Sequence, residues 1–395
     1  MNTVRAAKIG SHARALAVAC VAHVMHDGYT DLLYILLPIW QREYALSLAA
    51  VGLLRTLYTG AMALFQVPAS IAGERAGPRT LLASGTAFSA AAYLAAGMTN
   101  DYAGLAVALF AGGLGSSVQH PLASNMVAHA FEGARSRLAL GTYNFSGDIG
   151  KMAFPALVAT LLIFMPWREV LFTIAAIGGC VALGIAVFAP QVSASRKSDA
   201  MRESAGANGE RTFTRGFSML LSIGAIDSAT RMGFLTFLPF VLTAKGAAVQ
   251  TVGLCLVLIF AGGAAGKFVC AFLGARIGVF GTVFLTESLT ALGILALLPL
   301  PLWICLIVLP VIGIALNGTS SALYGTVPEL VPVARRQRAF GIFYTGTIGA
   351  GAISPAISGA ISDARGVPFL MCVVAAFVLL TIPLARIVRR AGVSA

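Results

Sequence analysis

Asp27-Gly28-Tyr29-Thr30-Asp31, followed by Leu36-Leu37-Pro38, is the segment of sequence from which the architecture can be inferred. It returns about 200 positions later as Asp227-Ser228-Ala229-Thr230-Arg231, followed by Phe237-Leu238-Pro239. Other segments recur at nearly the same offset, among them Val51-Gly52-Leu53 with Val252-Gly253-Leu254, Arg75-Ala76-Gly77 with Arg276-Ile277-Gly278, and Pro155-Ala156 with Pro355-Ala356. Self-similarity at half the chain length indicates a duplicated unit.

The composition is that of a membrane protein. Of the 395 residues, 58% are hydrophobic and 11% are charged, and the mean hydropathy is +0.87. A soluble domain carries about 25% charged residues, so the bilayer is expected to surround most of this chain. Duplicated apolar halves around a central polar site are the architecture of secondary transporters.

Cysteine spacing indicates neither disulfides nor a metal centre. The six cysteines all fall in apolar stretches without CxxC or Cys/His spacing, which is typical of small packing residues: Cys20, Cys180, Cys255, Cys270, Cys305 and Cys372. We expect no metal and no cofactor.

Twelve apolar stretches are close to the roughly 20 residues that a helix needs to cross the hydrocarbon. They are 14–40, 49–72, 79–98, 102–127, 138–165, 167–190, 216–243, 249–274, 279–300, 302–327, 338–361 and 366–388. The polar stretch 191–215 reads as a cytoplasmic linker between an N-terminal six-helix bundle, 1–190, and a C-terminal one, 216–395. The predicted fold is an all-α polytopic membrane protein with twelve transmembrane helices in two pseudo-symmetric bundles.

The net charge of +12 is explained by topology. Loops and tails on one side of the predicted bundles hold 19 Lys and Arg residues, and those on the other side hold 4. The positive-inside rule then places both termini and the linker in the cytoplasm, in a bacterial-type inner membrane. The apolar run after the basic N-terminus continues to Trp40, so no removable signal peptide is expected. No nucleic-acid partner is needed to explain the charge.

Two loops carry a family resemblance. Gly73-Glu74-Arg75-Ala76-Gly77-Pro78-Arg79 is similar to the acidic-Arg-x-Gly-x-Arg loop of the Major Facilitator Superfamily, and Gly274-Ala275-Arg276-Ile277-Gly278 keeps the Arg and the Gly. Glycine permits a tight helix reversal. The resemblance implies a conformational latch, in which arginine meets carbonyls or an acid at a neighbouring helix end, formed by Glu74, Arg75, Gly77, Arg79, Arg276 and Gly278.

A narrower resemblance is to the fosmidomycin-resistance-like branch of that superfamily. It is carried by His23-Val-Met-His-Asp27, Gly113-Leu-Gly-Ser-Ser-Val-Gln-His-Pro121 and Gly147-Asp-Ile-Gly150. The chain departs from the branch at Leu122, where an acid commonly follows His-Pro, and at Asp148 and Lys151, where neutral residues are usual.

The strongest chemical signal lies in the first stretch. His23, Asp27 and Asp31 follow one another at i, i+4 and i+8 on one helical face. Two carboxylates one turn apart in a low dielectric resist double ionisation, so one of them is expected to hold an exchangeable proton that His23 tunes or relays. Asp148 is a further candidate for proton coupling. Alternatively, Asp27 or Asp31 pairs with Arg55 or Lys267.

Ionisable side chains at membrane depth persist only where they face protein or water. Asp148 with Lys151 and Asp227 with Arg231 are spaced to form pairs on their own helices. Four cations at this depth, with a guanidinium fork that matches carboxylate or phosphonate, favour an anionic or zwitterionic substrate. The candidate substrate residues are Arg231, Lys151, Arg55, Lys267, Asp227, Tyr29, Asn144, Asn317, Tyr344 and His120, with Tyr143 and Tyr324 as further cavity candidates.

The leading interpretation is a proton-coupled secondary transporter, a monomer, that exports a small anionic or zwitterionic organic compound by alternating access. The alternatives are an uptake carrier or facilitator for a small carboxylate, and multidrug efflux of lipophilic compounds. An intramembrane enzyme is disfavoured because the chain has no HExxH, no GxSxG and no phosphate-cradling Gly-rich loop followed by Lys. A non-transporting scaffold or sensor would not need charges at the midplane.

Overall fold

The computed structural model describes residues 2–131, 133–190, 215–332 and 335–390. Within these ranges the chain forms helices and no strands. The helices are α1 (Asn2–Asp31), α2 (Leu33–Glu43), α3 (Leu48–Ala76), α4 (Pro78–Met98), α5 (Tyr102–Ser116), α6 (Gln119–Ala130), α7 (Gly133–Leu161), α8 (Trp167–Phe188), α9 (Arg215–Ala244), α10 (Val249–Ala296), α11 (Leu302–Leu330), α12 (Arg336–Arg365), α13 (Val367–Val378) and α14 (Thr381–Arg390).

The all-α polytopic prediction is confirmed, and each of the twelve predicted stretches is occupied by helix. Ten helical segments of the described residues are long and apolar enough to cross a membrane. The two predicted spans outside that set are 14–40 and 138–165, which hold Asp27, Asp148 and Lys151. These polar residues lower the hydropathy of the two spans that they occupy, and they mark where a functional site is expected.

The chain divides into two compact units. Unit 1 is Met1–Ile39 with Leu57–Ser195, and unit 2 is Trp40–Thr56 with Arg196–Ala395. Residues 191–214 of the predicted linker lie outside the described residues, and α9 begins at Arg215.

In unit 1, α1 packs along α7 and also contacts α6 and α8, while α4 packs against α5 and α8. Its apolar core includes Val18, Leu82 and Val127, all of them buried. Glycines allow the helices to approach closely, as is common in membrane bundles. A Cβ on Gly150 of α7 would lie 2.9 Å from the backbone carbonyl carbon of Val24 on α1. This contact brings the polar residues of α7 against those of α1.

In unit 2, α10 packs along α11, and α9 packs against α12 and α14. The short segment Trp40–Thr56 belongs to this unit because the start of α3 lies on α12. The Asp363 carboxylate accepts hydrogen bonds from the backbone N–H groups of Leu48 at 2.7 Å and Ala49 at 2.8 Å. A carboxylate that caps a helix N-terminus is stabilised by the unpaired N–H groups and the helix dipole.

The two repeated loops turn at glycine. Gly77 separates α3 from α4 with φ of 83°, and Gly278 interrupts α10 with φ of 68°. Both lie in the left-handed region that favours glycine. Gly278 therefore divides α10 into the two spans that the sequence predicts.

Candidate functional site

The candidate site of unit 1 is built where α7 crosses α1. His23 and Asp27, one helical turn apart on α1, are 4% and 8% exposed. A Cβ on Gly147 of α7 would lie 2.5 Å from Asp27 Oδ2 and 2.7 Å from the His23 ring. Gly147 is therefore the residue that admits both side chains between the helices.

Hydrogen bonding determines which nitrogen of His23 carries its proton. His23 Nδ1 lies 2.8 Å from the backbone carbonyl oxygen of Tyr143, which can only accept, so Nδ1 is the N–H donor. The imidazole also stacks on the Tyr143 ring at 4.3 Å. Nε2 is thereby directed to Asp27 Oδ1, at 3.5 Å. The carbonyl fixes the orientation of the ring, and Nε2 is left as the nitrogen that faces Asp27.

Asp27 also contacts a cation. Lys151 Nζ lies 3.5 Å from Asp27 Oδ2 and 3.8 Å from Asp148 Oδ1. The i,i+3 spacing on α7 thus produces the expected pair between Asp148 and Lys151, and the same ammonium reaches across to α1. Lys151 and Asp148, assigned to different roles from the sequence, belong to one network with Asp27.

Two further histidines surround the Asp27 carboxylate. His26 Nε2 is 3.8 Å from Asp27 Oδ1, and its Nδ1 is buried without a hydrogen-bond partner among the described residues. His120 of α6 lies edge-on to His26 at 4.6 Å and to His23 at 5.2 Å. His120 is therefore part of the network around Asp27.

A metal ion is one occupant that this cluster could hold by geometry alone. Ligand atoms of His23, Asp27 and His120 lie within 4.8 Å of one another. The Lys151 ammonium, however, already places a positive charge beside the same carboxylate. A divalent cation would be repelled by it, and we assign no metal to the cluster.

The remaining candidate residues of unit 1 differ in burial and in hydrogen bonding. Asp31 is buried, one turn beyond Asp27 on α1, while Asn144 is exposed on α7. Tyr29 is 1% exposed, and its hydroxyl donates to the Ile174 carbonyl at 3.2 Å. The Tyr93 hydroxyl in turn donates to the Tyr29 carbonyl. Tyr29 is thus engaged in packing between helices of unit 1.

In unit 2, Asp227 and Arg231 occupy the α9 positions that correspond to Asp27 and Asp31. Asp227 is buried, and Arg231 is partly exposed. The two interact electrostatically, but the described residues give Arg231 no ion pair within 4.0 Å. Their i,i+4 spacing therefore does not produce a close pair, in contrast to Asp148 and Lys151.

The other unit 2 candidates are spread over several helices. Tyr344 of α12 is 50% exposed and lies 4.8 Å from the ring of Tyr324 on α11. Asn317 donates to the Gly313 carbonyl of its own helix at 3.3 Å. Lys267 is partly exposed, and Arg55 is fully buried.

One buried acid was missed by the sequence reading. Glu287 of α10 is 1% exposed and interacts electrostatically with Asp227 and Arg231. The signal was present, since Glu287 stands as a single acid within the predicted span 279–300. It belongs with the polar groups of unit 2.

The residues of the two repeated loops differ in their contacts. The Arg79 guanidinium donates to the carbonyl of Ala186 in the last turn of α8. Glu74 and Arg75 are exposed. Arg276 lies over the Phe272 ring of its own helix, at 4.4 Å. Arg79 is thus the loop arginine that meets a carbonyl at a neighbouring helix end.

Comparison with known proteins agrees with this architecture. The family model of the Major Facilitator Superfamily matches residues 19–226 and 220–394. The chain belongs to the Major Facilitator Superfamily, a family of multi-pass membrane transporters. The expectation of a transporter rather than an enzyme is confirmed by this membership.

Two curated relatives come from Escherichia coli (strain K12). The chain is 24% identical over 144 residues to a probable L-galactonate transporter, covering 36% of this chain and 32% of that protein. It is 24% identical over 147 residues to a fosmidomycin resistance protein, covering 37% of this chain and 36% of that one. The chain spans about a third of each curated relative. The second match gives weak support to the fosmidomycin-resistance-like branch.

Solved structures share the fold over nearly the whole chain. A bacterial homolog of the human lysosomal transporter Spinster, in an inward-facing and occupied conformation, is similar with a TM-score of 0.79 at 15% identity, covering 96% of this chain and 97% of that one. The inward-facing and unoccupied form gives a TM-score of 0.77 with the same identity and coverage. At this identity the similarity establishes the fold alone.

Proposed function

We propose that the chain is a proton-coupled secondary transporter that exports a small anionic or zwitterionic organic compound by alternating access. The observation that carries the proposal is the network around Asp27, in which one buried carboxylate contacts two imidazoles and an ammonium. Imidazole is the side chain whose ordinary pKa lies between pH 5 and 8, and ionisable groups at membrane depth are costly unless they face protein or water.

The net charge of the network favours binding of one additional proton. Asp27, Asp148 and Lys151 together carry one net negative charge when all three are ionised. A neutral His23 would also point the Nε2 lone pair at the Asp27 carboxylate, which is unfavourable. One proton on His23 or Asp27 removes both problems, because it neutralises the cluster and supplies the missing hydrogen-bond donor. Loss and gain of this proton is the proposed coupling event.

Arg231 supports an anionic substrate. It is partly exposed on a helix that is otherwise largely buried, and no described carboxylate lies within 4.0 Å of its guanidinium. A guanidinium is well matched to a carboxylate or phosphonate. One relative is named for L-galactonate, itself a carboxylate, which fits an anionic substrate, and a carboxylate uptake carrier is the alternative.

Export and orientation rest on further arguments. The name of the fosmidomycin resistance protein fits outward movement of its compound. The Lys and Arg asymmetry of the loops favours an inner membrane with both termini in the cytoplasm. We further propose that the transporter acts as a monomer, with the protons, the substrate and the bilayer as its partners.

The test is transport by purified protein in proteoliposomes. A thermal-shift screen of carboxylates and phosphonates, with L-galactonate and fosmidomycin included, selects the probe. We expect an imposed pH gradient to drive net movement of that probe, to reverse its direction when the gradient is reversed, and to lose its effect with a protonophore. Equal rates under gradients of both signs would refute proton coupling and favour a facilitator.

A further inference from the structure

Glu287 is an acidic side chain that the network of unit 1 does not involve. It lies on the second span of α10, and its Oε1 has no hydrogen-bond partner among the described residues. No described lysine or arginine forms an ion pair with it. An ionised carboxylate in this position would be buried with an oxygen lacking any donor, which is strongly unfavourable.

Threonine hydroxyls near this carboxyl form a chain of hydrogen bonds. Thr286 donates to the Thr282 carbonyl at 2.8 Å, and Thr319 of α11 donates to the Thr286 hydroxyl at 2.7 Å. The Thr319 hydroxyl is also within hydrogen-bonding reach of Glu287. With its proton directed to Thr286, Thr319 offers Glu287 an acceptor. A protonated carboxyl completes such a chain as its first donor, and a carboxylate does not.

The charged and titratable groups near Glu287 come from three neighbouring segments. From α9, Asp227 acts on it as a like charge, and Arg231 acts on it as an opposite charge. From the first span of α10, the Cys270 thiol is close enough to interact with it. From α14, Arg389 stacks on Phe280, about two turns before Glu287. With both acids ionised, the group of Asp227, Glu287 and Arg231 carries a net negative charge.

We propose that Glu287 is a second proton-binding site, in unit 2. Its bound proton removes a negative charge near Arg231, which allows an anion to bind there. The bond formed is an O–H on the Glu287 carboxylate, and the proton comes from hydronium in the solvent, which is left as water. With Glu287 neutral, Asp227 is the one of these two described acids whose negative charge offsets that of Arg231. With Glu287 ionised, a second negative charge opposes the substrate anion. The effect on the anion rests on the proposed function, whereas the presence of the proton does not.

Infrared spectroscopy of purified protein without substrate tests the proton directly. We expect the difference spectrum between the wild type and Glu287→Gln, at neutral pH, to show loss of a carboxylic-acid C=O band that shifts in D2O. The matched control is Glu329→Gln, which alters an exposed glutamate of the same unit. Its difference spectrum should show loss of carboxylate bands instead. Loss of carboxylate bands in Glu287→Gln would overturn the proposal.

A second variant tests the proposal independently if Glu287→Gln does not fold. Thr319→Val removes the acceptor of the Glu287 proton while leaving the carboxyl in place. We expect the acid C=O band to shift in frequency, because the hydrogen bond that weakens the C=O bond is lost. An unshifted band in Thr319→Val would overturn the assignment of Thr319 as the acceptor, and with it the chain that holds the proton.

Anion binding separates this proposal from the proposed function. With the probe selected by thermal shift, we expect the wild type to lose affinity at alkaline pH and Glu287→Gln to keep it. Parallel pH profiles would overturn the link between Glu287 and Arg231. If the acid band is lost in Glu287→Gln but no anion binds to any variant, the proton site stands and the anionic substrate is refuted.

Discussion

Replacing Arg231 by glutamine is the sharpest test of an anionic substrate, because the contacts of Arg231 predict a small effect on stability and a large effect on anion affinity. The described residues give the guanidinium no ion pair within 4.0 Å. Its removal therefore breaks no close pair, and the thermal stability of the purified protein should change little. Breaking a buried pair would instead cost about 3–5 kcal/mol.

The effect on affinity should be large in comparison. A hydrogen bond to a charged group contributes about 1.5–3 kcal/mol, so Arg231→Gln should weaken anion binding by about 10- to 150-fold. Asp227→Asn should leave affinity unchanged or raise it, since it removes a negative charge near Arg231. Equilibrium binding of the radiolabelled probe measures both variants.

The control is Arg365→Gln, which removes an exposed guanidinium of the same unit that lies 5.9 Å from the Phe369 ring centroid. It should bind the probe as the wild type does. Equal loss of affinity in Arg231→Gln and Asp227→Asn, with recovery in the double variant, would show a structural ion pair and refute the reasoning.

Two further predictions concern packing. Gly147→Val should lower thermal stability by about 1–3 kcal/mol and impair transport, because the added carbons meet Asp27 and His23. Gly141→Ala on the same helix, where nothing lies within 4 Å of the added Cβ, is the control, and equal stability of the two variants would contradict the close packing. Asp363→Asn should weaken the start of α3 by about 0.5–2 kcal/mol, because it replaces the carboxylate that accepts two backbone N–H groups. Amide hydrogen exchange over residues 48–51 should accelerate, and unchanged exchange would show that the cap contributes nothing.

The fold was largely predictable because its signals are local or periodic. The repeat starting at Asp27 and Asp227 indicated two similar halves, and the apolar stretches gave the twelve helical spans. Gly77 and Gly278 were recognisable as turns because their left-handed backbone is one that glycine favours. These features depend on neighbouring residues in the chain.

The site was only partly predictable because its contacts join distant segments. Spacing alone suggested ion pairs on α7 and α9, yet Lys151 reaches Asp148 at 3.8 Å while Arg231 has no such pair among the described residues. The contact from Lys151 to Asp27 depends on helix packing and has no local signature. Glu287 was overlooked because one acid scarcely alters the hydropathy of its span, although its isolation was the available signal.

The most direct test of the account is gradient-driven transport by Asp27→Asn in proteoliposomes. The variant keeps the size of the side chain and removes the carboxylate that contacts His23, His26 and Lys151. The account predicts that a pH gradient no longer drives net movement of the probe, while exchange of probe across the membrane at equal pH continues in part. Full gradient-driven transport by Asp27→Asn would contradict it.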